Sequence, residues 1–405
     1  MAEAGVGLLV RLVLAQWRRR PLQTLLGAAL LALGVATLVF VVSVQGQLAR
    51  QLERDARGVD LVVGAKGSPL QLILSAVYHV DVPTGNVPLA TVASLRGNRL
   101  VTQAIPVALG DSVRGFRIVG TEPGLVEWYG ARLASGSVWS GPMQAVIGAQ
   151  VARVTGLAVG SEFLGTHGLA EGGAEHAEAR YRVVGVLAPS GSVLDRLVLT
   201  DLASVWRVHE GEATDDEERR VLEAERQVTA VLVRYASPLA AAILPRQVNA
   251  EAGLQAAAPA AEVARLFAVA GVGIDTLRAF AVVLIGAALL ALFITLYGAL
   301  EERRYDLAIL RMLGASPAQV GLLLLIEAWL LALLGWIAGL GLGLGAVGAV
   351  GRWLAAERSF SVGVAVPWSE LAVLAAIALG VATLAALLPA WRAARMDLAR
   401  TLARQ

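Results

Sequence analysis

"EERRYDLAILRMLGASPAQV", residues 301–320, sets four arginine or aspartate side chains and a run of leucines between two long apolar stretches. Leu307, Leu310 and Leu313 recur at a spacing of three, with Arg304 and Arg311 on the flanks, which fits a short amphipathic helix. Gly314 is placed to end it, because glycine tolerates the left-handed conformation that closes a helix. Ser316-Pro317-Ala318-Gln319 then reads as a new helix start: a capping serine, proline at the first helical position, and a glutamine that completes a capping box. The stretch is therefore a helix, a break and a second helix. A mere connector has no use for an apolar stripe facing water, whereas a docked partner protein would bury it.

The flanks of this turn cross a membrane. Of the 405 residues, 57% are hydrophobic and 16% charged. Four charge-poor runs reach the roughly 20 residues that a bilayer requires: Pro21–Ala49, Ala279–Leu300, a run from near Ser316 to Gly351 broken once by Glu327, and Leu371–Trp391. The first is longer than the apolar part of a signal peptide and no convincing cleavage site follows it, so it reads as a retained span.

Arginines set the orientation. Arg11, Arg18, Arg19 and Arg20 precede the first span; Arg303, Arg304 and Arg311 lie between the second and third; Arg392, Arg395, Arg400 and Arg404 follow the fourth. Both termini and the 301–317 turn are expected in the cytoplasm, in a multi-pass protein of the cytoplasmic membrane. The expected order is an amphipathic segment 1–20, span 21–48, an extracytoplasmic domain 49–275, span 277–300, the short helix 301–317, span 318–350, an outer loop 351–369, span 370–391 and a tail 392–405.

The outer segment alternates strand-like runs ("GFRIVG", "MQAVIG", "YRVVGVL", "RLVLT", "VTAVLVRYA") with helix-like pieces ("GAQVARVTG", "DLASVWRVHE"), which predicts a mixed α+β domain. "QGQLARQLERDARG" reads as a helical continuation of the first span, and "EVARLFAVAGVGIDTL" as a helix running into the second. "HGLAEGGAEHAEAR" reads as an exposed loop and "EGEATDDEERR" as a charged connection. In Pro69–Val80, Leu70, Ile73, Leu74 and Val77 fall at helical spacing, with Gln71, Ser75 and Tyr78 opposite. That helix either belongs to the domain core, or lies at the membrane surface or lines a path for an apolar substrate.

Several chemistries are excluded or unsupported. There is no cysteine, hence no disulfide and no thiol catalysis. A P-loop needs Gly-Lys followed by Ser or Thr, and the sole lysine, Lys66, is followed by Gly67, so any use of ATP and magnesium would fall to a partner chain, and no cofactor is expected on this one. A net charge of +2 gives no reason to expect nucleic acid. His167 and His176 share a loop with Glu171, Glu175 and Glu178, but their spacing fits no compact metal motif. Glu327, deep in the third span, is either a buried packing contact or a group that relays movement or touches substrate. The glycines of "GLGLGLGAVGAVG", Gly339–Gly351, allow close helix approach within one subunit or along a dimer seam.

The 301–320 stretch resembles the most recognisable pattern of the MacB/FtsX-like permeases, the membrane subunits of type VII ABC transporters. "LLLLIEAWLLALLGWIAGLGLG" is similar to that family's third span, glutamate included, and "LLPAWRAARMDLARTLARQ" to its carboxyl end, although Leu398 stands where proline is frequent. "MQAVIGAQVARVTGLAVGSEF" and "YRVVGVLAPSGSVLDRLVLT" resemble its outer domain. The resemblance implies four transmembrane helices, with a large extracytoplasmic α+β domain between the first two. It implies that Arg303, Arg304, Asp306, Leu307, Leu310, Arg311, Leu313 and Gly314 form a coupling element for a separate ATPase subunit. A second permease, identical or a close relative, would complete a dimer, and a periplasmic adaptor or lipoprotein could join it. ATPase closure would move the outer domains to export, extract or release an amphipathic substrate such as a lipoprotein, lipid, peptide or drug. The alternative is an FtsX-like signalling role that activates a cell-wall hydrolase without transport. MacB itself carries a fused ATPase, a departure from this chain.

Overall fold

A computed structural model describes residue 17 and residues 21–166, 175–210, 226–302, 304–356 and 368–395. The chain divides into two compact units, one built around Leu48–Val269 and the other from the apolar helices before and after it. In chain order the helices are α1 (Pro21–Asp55), α2 (Pro69–Ala76), α3 (Ala90–Gly97), α4 (Gly124–Trp128), α5 (Ala149–Thr155), α6 (Leu202–Glu210), α7 (Pro238–Ala250), α8 (Pro259–Glu302), α9 (Arg304–Met312), α10 (Pro317–Ala356) and α11 (Trp368–Ala394). Helices α1, α8, α10 and α11 are long and apolar enough to cross a membrane.

The outer unit is built on a ten-stranded mixed sheet. Its strands are β1 (Leu61–Ala65), β3 (Val101–Val113), β4 (Phe116–Thr121), β5 (Leu133–Gly136), β6 (Gln144–Ile147), β7 (Glu162–Thr166), β8 (Glu175–Leu187), β9 (Val198–Asp201), β11 (Ala230–Tyr235) and β12 (Leu254–Ala257). They run in the order β12-β1-β11-β3-β4-β9-β6-β8-β5, with β7 against β3 and β8. Two short strands, β2 (Val87–Pro88) and β10 (Gln227–Val228), pair separately. Strand pairs β4–β9 and β6–β8 are parallel and the remaining neighbours antiparallel. Central strands carry unbroken apolar runs because both faces are covered: Leu61, Val62 and Val63 of β1 sit opposite Val233, Leu232 and Val231 of β11 and are fully buried.

Among the described residues, two apolar clusters build much of the core. One joins Leu61, Val63, Val231 and Val233 to Leu244 and Val248 of α7. The other gathers Phe116, Ile118, Ile147, Phe163, Tyr181 and Val198, with the Phe163 and Tyr181 rings stacked 5.3 Å apart. Strand β12 precedes α8 by one residue and pairs with β1, which follows α1 by five, so both long helices join adjacent strands.

Three local expectations change. Residues Glu175–Arg180 of the presumed loop belong to β8, where Leu164 of β7 pairs with Arg180; 167–174 and 211–225 lie outside the described residues. Helix α2 ends at Ala76 rather than Val80, closed by His79 in the left-handed region at φ 56°. Its apolar residues do not form an outward stripe: Ile73 and Val77 are buried, Leu70 and Leu74 are half-buried, and the supposedly polar Ser75 and Tyr78 are buried too. Tyr78 goes inward because its hydroxyl finds a carbonyl partner there, described below. Helix α2 thus packs into the core of the domain, with Ile73 and Val77 buried.

In the membrane unit, Leu31 and Val35 of α1 pack with Leu292 and Leu296 of α8, Leu331 of α10, and Leu374 and Ala382 of α11. Helices α1 and α10 approach through small residues. A Cβ on Gly335, Gly339 or Gly343 would lie 3.1, 2.6 or 2.9 Å from the carbonyl oxygens of Ala28, Ala32 and Ala36. Glycine every fourth residue opposite alanine every fourth residue lets two backbones nearly touch. Gly341 and Gly345, on the other side of α10, meet nothing within 4 Å.

Candidate functional site

The turn 304–320 forms a capped helix–break–helix. Arg304, at the start of α9, donates to Glu301 Oε1 at 2.6 Å. Leu313 N donates to Ile309 O and Gly314 N to Arg311 O, and Gly314 takes φ 103°, a value L side chains rarely adopt. Helix α10 then starts from a reciprocal cap: Ser316 N donates to Gln319 Oε1 at 2.7 Å, and Gln319 N to Ser316 Oγ at 3.2 Å. Arg303 lies outside the described residues, while Asp306 and Leu310 fall on α9.

The apolar stripe does not sit on one face. Leu307 is 3% exposed and packs with Leu300, Val320, Leu323, Leu324, Ala390 and Ala393, the ends of α8, α10 and α11. Leu313 is 80% exposed and Met312 beside it 58%. A spacing of three drifts round a helix of 3.6 residues per turn, so the two ends of such a stripe diverge. Leu307 fastens the turn to its own unit, and the apolar surface offered outward is Met312–Leu313, with the half-buried Arg311 alongside.

Glu327 is 4% exposed, within α10. Two residues on, Trp329 Nε1 donates to Thr383 Oγ1 at 3.0 Å, tying α10 to α11. Among the described residues no group of three or more His, Asp or Glu could hold a metal ion; His167 is outside them.

A second constellation went unread in the sequence, at the outer end of α1. Asp55 is completely buried, and Arg196 donates to its Oδ2 at 3.0 Å. Gln51 Nε2 donates to Asp55 Oδ1 at 2.8 Å and to Gly191 O at 3.3 Å. The helix's last carbonyls also find partners. Tyr78 OH donates to Leu52 O, Tyr129 OH to Asp55 O at 2.7 Å, and Trp128 Nε1 to Arg57 O just beyond. Burial pushes both phenols above their ordinary range, so they keep their protons and remain donors. A helix C-terminus leaves about four carbonyls unsatisfied; here side chains of the outer domain satisfy them, and the helix end is locked into that domain. Residues 188–196 are held in turn by Asp195, which accepts from Ser190 N and Gly191 N. "LERD" hints at a charged helix end, but nothing local ties Asp55 to an arginine 141 positions away.

Known proteins add the family. The family model described as "MacB-like periplasmic core domain" matches residues 24–251, and "FtsX-like permease C-terminal" matches residues 278–398. No curated protein matches. Among solved structures, the periplasmic region of MacB from Actinobacillus actinomycetemcomitans aligns at 10% identity and TM-score 0.34, over 53% of this chain and 95% of that one. The extracellular domain of the noncanonic ABC-type transporter YknZ from Gram-positive bacteria aligns at 13% identity and TM-score 0.28, over 48% and 98%. With the periplasmic-core model covering more than half of its length and the permease model covering three of its four apolar helices, this chain belongs to the MacB/FtsX-like family of ABC transporter permeases.

Proposed function

We propose that the chain is the non-catalytic membrane subunit of a transporter whose separate ATPase docks on the 304–320 turn. ATPase closure would then move α1 and α8 and, with them, the outer domain, to export, extract or release an amphipathic substrate. The carrying observation is the exposed Met312–Leu313 tip on a turn whose geometry is fixed by Gly314 and the Ser316–Gln319 cap. Exposed apolar side chains on a rigid support suit a protein partner better than water.

The test replaces Leu313 with Asp. An unpaired charge buried in an interface costs about 3–5 kcal/mol, so the ATPase should no longer co-purify. Expression and thermal stability should hold, because Leu313 supports nothing in its own unit. Leu307→Asp should instead damage the membrane unit itself. Leu239→Asp, at an exposed position on α7, is the control and should leave ATPase binding intact. Normal ATPase capture and stimulation by Leu313→Asp would show that the partner docks elsewhere.

A further inference from the structure

Helix α1 carries no charge from Pro21 to Ala49, and arginine then appears in a cluster. Arg50 and Arg54 lie one helical turn apart, and Arg57 follows in the turn that ends the helix. All three line an open cleft of about 740 Å³, together with Leu52, Val59 and the first turns of α8: Pro259, Val263 and Phe267. The cleft lies wholly within the outer unit.

Its cations are poorly neutralised. The exposed side chains of Arg50 and Arg57 enter no hydrogen bond or ion pair among the described residues. Arg54 donates to Gln51 Oε1, yet its Nε is buried without a partner. Of the two carboxylates that also line the cleft, Asp60 already accepts from Tyr235 N at 2.8 Å, and Glu53 is exposed. The cleft therefore pairs an arginine-rich side with an apolar one.

Depth along the helix narrows the ligand. Arg50 is six residues past Val44, the last apolar residue before Gln45, Gly46 and Gln47 interrupt the hydrophobic sequence, or about 9 Å at 1.5 Å per residue. The headgroup layer outside a hydrocarbon core of about 30 Å is roughly 5–8 Å deep. Flexible arginine side chains starting just beyond that layer reach back into it.

We propose that this cleft binds a phosphate-headed lipid of the outer leaflet. The guanidinium groups of Arg50, Arg54 and Arg57 take the phosphate, which matches their planar donor fork, and Val263 and Phe267 take the first part of the acyl chains. This goes beyond the proposed coupling role in naming a ligand class, and it is measured on the chain alone. Loss of ATPase docking and loss of lipid binding are consequently separate results.

The test uses the purified full-length chain in lipid-free detergent. It is titrated with dioleoylphosphatidylglycerol or with dioleoylglycerol, which has the same chains and no phosphate, and bound lipid is counted by native mass spectrometry. The phospholipid should bind first and at least ten times more tightly. Arg50→Gln with Arg57→Gln should weaken it roughly 30-fold, from about 1 kcal/mol for each arginine near a membrane surface, without lowering thermal stability. Val263→Trp should narrow the apolar side and weaken phospholipid binding while every charge remains. If inorganic phosphate at millimolar concentration competes fully, the site takes a small anion and the lipid assignment fails. Equal binding of the two lipids, or unchanged phospholipid binding in both variants, would also overturn it.

Discussion

Neighbouring side chains of one type take opposite roles here. Leu307 and Leu313 sit six apart on the same short segment, yet one closes a core of three helix ends and the other stands in water. His79 makes the same point in the outer domain. It closes α2 in a left-handed conformation, its Nδ1 is buried without a hydrogen-bond partner, and the residue as a whole is half-buried. Burial, together with Arg117 and Arg196 nearby, pushes its imidazole down to about 3. An unfolded chain would protonate that ring near 6.5. Between those values the unfolded state binds the extra proton, so the His79 contribution is complete above pH 6.5 and is lost as pH falls toward 3. The slope has an upper bound of about 1.4 kcal/mol per pH unit, reduced by the partial exposure. Thermal unfolding from pH 7 to 4.5 should fall more steeply for the native chain than for His79→Asn, since asparagine accepts the left-handed backbone and does not titrate. Parallel curves would remove His79 from the account.

Helices and strands differ in how far their sequence declares them. The break after α9 is legible because everything that makes it lies within a few residues: a glycine, then Ser316, Pro317 and Gln319. The continuations of α1 to Asp55 and of α8 from Pro259 are likewise read from local helical composition. Strands β1 and β12 are short apolar runs of five and four residues without alternation, and β3 holds Pro106 within its 13 residues, so none of the three stands out by pattern. What α2 packs against, which side of α9 is buried and what holds Asp55 are tertiary facts, decided by residues far along the chain. The glycines of α10 fall between these cases: their spacing signals close approach, but only packing separates Gly339 from Gly341. Leucine at 339 would drive Cβ to 2.6 Å from Ala32 O and push α1 away. Overpacking of this kind costs typically 1–3 kcal/mol, so Gly339→Leu should unfold several degrees earlier in detergent. Gly341→Leu, with open space around its Cβ, should keep the native midpoint. Equal losses in the two variants would contradict the packing of α1 on α10.

At the scale of the whole molecule, the proposed role requires a stiff link from helix to outer domain. The Asp55 joint has the makings of one: a buried ion pair, a glutamine bridge and two phenol donors converge on the last turn of α1. The chain has no cysteine, so one introduced at exposed Leu239 gives a unique spin-label site on each outer domain of a dimer. Label separation in the assembled complex should differ between the ATP-bound and nucleotide-free states. Arg196→Met leaves Asp55 buried without its cation, at a cost of about 3–5 kcal/mol, and should blunt that difference while the ATPase still docks. Replacing both partners, Asp55→Leu with Arg196→Met, leaves no buried charge and should recover most of the stability. If the double variant also recovers the distance change, stiffness rather than charge carries the movement. If the change stays full-sized in Arg196→Met, in a complex shown to be hydrolysing ATP, movement does not pass through the end of α1, and α8, joined to β12 by a single residue, becomes the element to test.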